Sequence, residues 1–196
     1  MNCATAQGMF RIIQSIPSPK AEPFKQWMAQ VAADRLDQMQ DPELSIQQAM
    51  ADYKQVGYSD NWINQRLKAI EVRKDLTDAW KKHGVQEGQQ FATLTDIITN
   101  AWSGFTTREY KAYKGLHKEN LRDNMTNTEL ILNMLAEAST KDITEATEPR
   151  TLAAHKAVAR QGGAIARNAR LELEARTGKK VVSRLNAKQV LAAKQA

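Results

Sequence analysis

From Ser59 to His83 the chain runs for 25 residues without a proline or glycine. Within that run Trp62, Ile63, Leu67, Ala69, Ile70, Val72, Leu76, Ala79 and Trp80 recur at three- and four-residue spacing, the pattern of one broad apolar stripe on a helix. Ser59 or Asp60 can cap its start, because a side-chain oxygen there accepts from the free N–H groups of the first turn. Lys81, Lys82 and His83 complement the helix dipole at the other end, and Gly84 is the stop. A stripe this wide must be covered by other helices. The expected fold is therefore all-α, an irregular multi-helix bundle with a core from about Pro19 to Ala146 built around this helix, followed by a basic helical C-terminal extension. Arg66, Arg73, Lys74, Asp75, Asp78 and Lys81 on the opposite side read as a solvated face of mixed sign.

The rest of the chain supplies the covering helices. Residues 8 to 16 read as a helix end broken by Pro17 and Pro19; Ser18 or Glu22 opens the next helix, which reaches Gln40 with Phe24, Trp27, Met28, Val31, Leu36 and Met39 as its buried side. Asp41 followed by Pro42 starts another, through Leu44, Ile46, Met50 and Tyr53 to Gly57. Phe91, Leu94, Ile97, Ile98, Ala101 and Trp102 mark a helix that Gly104 ends. Two Thr-x-x-Glu capping boxes follow, Thr106 with Glu109 and Thr126 with Glu129. The second opens a strongly apolar helix through Leu130, Ile131, Leu132, Met134, Leu135 and Ala138. Thr140 to Glu148 is polar and, with Pro149, reads as a hinge. Val181 and Val182 are the one β-branched pair in a plausible extended stretch.

Composition narrows the class. No run approaches the roughly 18 apolar residues of a membrane span, and the first residues lack the basic leader of a signal peptide, so a cytoplasmic protein is expected. Cys3, the one cysteine, can form no internal disulfide and excludes a cysteine-based zinc site. His83, His117 and His155 are scattered. Gly162, Gly163 and Gly178 match neither a dinucleotide fingerprint nor a phosphate loop, since the Lys179 and Lys180 after Gly178 lack the hydroxyl residue that loop requires. No metal, cofactor or catalytic constellation is legible, and a non-enzymatic role is expected.

Charge is the informative quantity. The net +6 conceals a +9 segment from Pro149 to Ala196, eleven Lys and Arg against Glu172 and Glu174, behind a body of −3. Such asymmetry points to a polyanionic partner. On a helical wheel Lys156, Arg160, Arg167 and Arg170 share an arc of about 80°, with Val158, Gly162, Ile165, Ala169 and Leu173 opposite. The reading is a helix docked by small and aliphatic residues with an outward basic ridge, which Lys179, Lys180 and Arg184 extend. Arginine forks reach phosphate oxygens two at a time. These seven residues are the candidate nucleic-acid contacts. A second candidate is the helix–Gly104–helix of residues 102 to 114, with Arg108, Lys111 and Lys114, in the shape of a helix-turn-helix.

Longer strings carry a resemblance. Phe10–Trp27 (FRIIQSIPSPKAEPFKQW), Gly57–Val85 (GYSDNWINQRLKAIEVRKDLTDAWKKHGV), Leu94–Thr140 (opening LTDIITNAWSGFTTREY) and Gly162–Ser183 (GGAIARNARLELEARTGKKVVS) closely resemble the DNA-damage-inducible protein D family and related phage antirepressors, which carry a BRO-type N-terminal domain. The resemblance implies a bacterial or prophage protein of the DNA-damage response, acting on nucleic acid or on the recombinase filament, and it supplies no catalytic residues. In the family the IPSPKAEPF string lies at the end of the BRO domain, so residues 1–18 are expected to be a remnant of it, 19–148 a helical core domain and 149–196 a basic helical segment. The expected function is a regulatory or accessory protein that binds nucleic acid. The alternative is a module that grips a recombinase or phage repressor without touching DNA. Phe10 to Trp27 would expose apolar surface and favour self-association into a homo-oligomer.

Overall fold

Proline and glycine punctuate the chain where its helices stop, and between these breaks the residues described by a computed structural model, 5–187, form eight α-helices and no strand. They are α1 (Ala6–Ser15), α2 (Glu22–Gln40), α3 (Pro42–Val56), α4 (Asp60–Lys82), α5 (Gln89–Ser103), α6 (Thr107–Tyr113), α7 (Asn127–Thr147) and α8 (Leu152–Thr177). Cys3 and the last part of the basic segment, 188–196, lie outside the described residues. The capping chemistry falls where the residue types put it. Ser59 Oγ accepts from Trp62 N at 3.3 Å, Asp41 Oδ1 accepts from Glu43 N at 3.0 Å, and both Thr-x-x-Glu boxes are closed in both directions.

The chain divides at Val56 and Gly57 into two units, where the sequence placed boundaries after residues 18 and 148. In the first unit α1, α2 and α3 contain no buried residue. Trp27, Val31, Leu36 and Met39, the expected inner side of α2, are exposed. The reason is that α2 has α3 and the Pro19–Ala21 turn as its main neighbours in this unit, and two helices alone cannot enclose a stripe. The core therefore does not begin at Pro19.

The second unit holds the core. Its hub is α7, which packs on α4, α5 and α8. Trp62, Ile63, Leu76 and Trp80 of α4 meet Leu94, Ile98 and Trp102 of α5, Leu130 and Ala136 of α7, and Val158, Ala159 and Ala166 of α8 in its interior. Arg66 is not on a solvated face: it is buried, with Nε 2.7 Å from Asp123 Oδ1. The expected hinge at Thr140 is continuous helix, because Thr140 Oγ1 donates to the Ala136 carbonyl (2.7 Å) and Thr144 Oγ1 to the Thr140 carbonyl (2.8 Å). Hydroxyls satisfied along their own helix can be buried, and both are. The chain turns only after Thr147, where Glu148 adopts φ 43.

The basic C-terminal helix α8 packs into the bundle. It lies along both α5 and α7, through a seam of His155, Val158, Ala159, Gly162, Gly163 and Ala166. An added Cβ on Gly162 would sit 2.6 Å from Thr140 N and 2.7 Å from Thr140 Cα, and one on Gly163 would sit 3.0 Å from the Ile98 carbonyl oxygen. The two glycines are what lets three helix backbones come this close. Ile165 and Leu173, expected to dock the helix, are 44% and 38% exposed, so its buried face is rotated from the aliphatic one toward the small residues.

Candidate nucleic-acid interface

That rotation decides where each basic side chain of α8 points. Arg160 and Arg167 remain exposed and line a groove of about 550 Å³ with Asp96, Ile97, Asn100 and Thr106. Lys156 is half-buried. Arg170 is turned inward: its Nη1 donates to the Ser103 carbonyl at 3.0 Å, meeting an open acceptor at the C-terminal end of α5. Beyond Gly178, Lys179 is exposed, Lys180 Nζ lies 3.3 Å from Glu174 Oε2, and the Arg184 guanidinium sits 5.4 Å from the Tyr113 ring centroid. The seven candidates therefore do not form one ridge. Arg160 and Arg167 stay together, while Arg170 and Lys180 are engaged by the protein itself.

The segment after α8 is tied down by buried charge. Glu129 accepts from Tyr110 Oη (2.8 Å), Lys114 Nζ (2.9 Å), Thr126 N (2.7 Å) and Ser183 N (3.0 Å). Lys114 Nζ also donates to the Leu185 carbonyl at 2.7 Å, and Asn186 Nδ2 to the Lys114 carbonyl at 3.0 Å. Lys114 is thus removed from the helix-turn-helix candidate, being fully buried. Burial pushes its ammonium below the ordinary lysine value against the pull of Glu129, and burial together with Glu129 raises the Tyr110 hydroxyl far above the ordinary tyrosine range. Glu174 behaves in the opposite sense. Burial would raise it, but the Val181 N–H (3.0 Å) and Lys180 hold it below the ordinary glutamate value. Val181 and Val182 form no strand; Val182 packs into the core.

On the other side of α5 lies a second groove, of about 1040 Å³, lined by Arg73, Thr93, Asp96, Arg108, Lys111 and Lys118 among others. Asp96 and Ile97 line both grooves. Asp96 is the sole acidic side chain in either lining, and its Oδ1 already accepts from Thr107 N at 2.7 Å. Behind the larger groove Arg73 Nη1 and Arg122 Nη2 share one buried carboxylate, Glu137, at 3.5 and 2.5 Å. Burial lowers the Arg73 guanidinium, Glu137 opposes this, and the side chain lies over Trp80 at 5.2 Å. Two cations on one anion leave this wall positive.

No family model matches this chain, and no curated protein matches it. What the geometry offers stands on its own. Arg108 and Lys111 were legible in the short basic helix. Arg73 and Lys118 were not, since only the packing of α4, α5 and the loop after α6 brings residues 73, 96 and 118 to one groove. Among the described residues no three of His, Cys, Asp and Glu come together in a way that could hold a metal ion. None of their helices is long and apolar enough to cross a membrane.

Proposed function

We propose that this protein is a non-enzymatic regulatory or accessory protein of the DNA-damage response or of prophage control, and that it binds nucleic acid across the face of its second unit. The observation that supports this is the pair of grooves flanking α5, with Arg160 and Arg167 on one, Arg108, Lys111 and Lys118 on the other, and a single, already engaged acid between them. Such a surface suits phosphate oxygens, which the exposed arginine forks of both linings can reach. The damage-response assignment comes from the resemblance of Phe10–Trp27, Gly57–Val85, Leu94–Thr140 and Gly162–Ser183.

Fluorescence anisotropy with labelled duplex and single-stranded oligonucleotides over a salt series tests the reading. Five phosphate contacts correspond to a logarithmic salt slope of about −4 to −5, and each contact removed flattens it by about 0.9. Arg160→Gln with Arg167→Gln, and separately Arg108→Gln with Lys111→Gln, should each weaken binding and flatten the slope by about 2. A wild-type protein that binds neither oligonucleotide, or a quadruple variant that binds like wild type, refutes it. Retention of a protein partner from nuclease-treated extract by such a non-binding chain would instead favour the recombinase- or repressor-gripping alternative.

A further inference from the structure

The first unit presents a problem that the nucleic-acid reading leaves untouched. Its helices α1, α2 and α3 contain no buried side chain, yet eleven large apolar residues on them and their flanks are 37% to 67% exposed, among them Phe10, Ile12, Trp27, Val31, Leu36 and Met39. Isolated helices of 10 to 19 residues are marginal in water, since most helical stability in proteins comes from burying an apolar face. Exposed apolar surface of this extent marks an interaction surface. We infer that this surface is a homodimer interface, covered by the same unit of a second copy of the chain.

Three observations favour a second copy over another occupant. The first is area. Eleven large apolar side chains at about half exposure offer on the order of 900 Å² of apolar surface, and a stable interface takes roughly 800 Å² from each partner, about 60% of it apolar. About half of that surface, lying on one side of the unit, would supply the roughly 480 Å² of apolar area in one protomer's share. The second is charge. Residues 1–56 hold five Lys and Arg against six Asp and Glu, so the unit attracts neither an acidic nor a basic partner, and two copies meet without repulsion. Two of the acids are also occupied locally, Asp34 by Gln30 and Asp52 by Gln48, each at 2.7 Å. The third is an anchor. Phe10, Phe24 and Trp27 form a chain of rings with centroids 6.0 and 5.2 Å apart, and Trp27 stands half exposed at its end. A partly supported tryptophan is the residue type that dominates interface energetics.

The inference is tested on the full chain by sedimentation velocity over a dilution series, with far-UV circular dichroism on the same samples. A dimer is expected, and ellipticity should fall together with mass on dilution, because the helices of the first unit are held by the partner. Trp27→Glu and Met39→Glu should each raise the dissociation constant by at least about thirtyfold, the loss a hot-spot truncation produces, while Trp27→Phe stays dimeric. Ile131→Glu, at an exposed position of α7 in the second unit, should leave the dimer intact, and an unchanged urea midpoint read by the buried Trp80 and Trp102 should show the second unit folded in every variant. A wild-type chain that is monomeric throughout, a dimer that survives both Glu substitutions, or one that Ile131→Glu alone disrupts overturns the inference. Because the mass measurement contains no nucleic acid, its outcome leaves the binding face of the second unit a separate question.

Discussion

Replacing Gly162 by alanine should destabilise the protein, although helix propensity alone argues the reverse. Alanine in a helix interior is favoured over glycine by about 1 kcal/mol. The added methyl, however, would lie 2.6 Å from Thr140 N and 2.7 Å from Thr140 Cα, with Thr140 Oγ1 also in its way. Non-bonded heavy atoms rest at about 3.5 to 4.0 Å, so α7 and α8 must part by roughly 1 Å. The obstructing atoms belong to a helix backbone and cannot rotate aside. Overpacking of this kind costs about 1–3 kcal/mol, and more when backbones have to move. Set against the propensity gain, a net loss of about 1–2 kcal/mol is expected, or about 2–8 °C in Tm at this chain length. Urea unfolding followed by the fluorescence of the buried Trp80 and Trp102 reports it directly. Ala164→Gly at the exposed neighbouring position serves as the control and should cost about 1 kcal/mol through propensity alone. A Gly162→Ala chain as stable as wild type, or more so, would refute the claim that this glycine sets the helix separation.

The buried pair yields a second expectation: Lys114→Met leaves the Glu129 carboxylate without its counter-charge and should cost about 3 kcal/mol, part of which Glu129→Gln in the same chain restores; a single-variant loss too small to measure would show that Tyr110 and the backbone donors suffice. His155 is buried with Nε2 donating to the His83 carbonyl at 3.3 Å, and burial holds its pKa below the ordinary 6.5. Between that lowered value and 6.5 the unfolded chain takes up a proton that the folded chain refuses. Stability should therefore fall as pH drops below about 6.5 toward that lowered value, and His155→Gln should flatten that part of a stability–pH profile measured by denaturant titration. Arg170→Gln should cost about 1–2 kcal/mol by abandoning the Ser103 carbonyl while leaving oligonucleotide affinity within twofold of wild type, as anisotropy would show.

Local chemistry was the most legible part of this chain. Ser59, Asp41, Thr106 and Thr126 announce helix starts through oxygens that act within three residues, so no tertiary information is required. Burial was legible only where an apolar stripe had a partner to meet. Trp62, Leu76 and Trp80 are buried in the bundle, whereas Trp27 and Met39, on a stripe of the same kind, stay half or more exposed, Trp27 with the Phe24 ring beside it. The face of α8 was misjudged because hydrophobicity gives Ile165 and Leu173 more weight than glycine and alanine, while close helix packing rewards the smallest side chains. For the same reason Arg170 moved from the expected ridge to the inside. Of the candidate contacts, Arg160, Arg167, Arg108 and Lys111 could be read from local basic spacing; Arg73 and Lys118 depend on pairs of elements far apart in sequence.

Glu129 sits at the third position of α7, but one of its donors, Ser183, is made more than fifty residues later. A chain cut near Gly178 would therefore carry every core helix yet leave Glu129 and Lys114 without the Ser183 and Leu185 backbone partners that close their site, an opening for proteases to find.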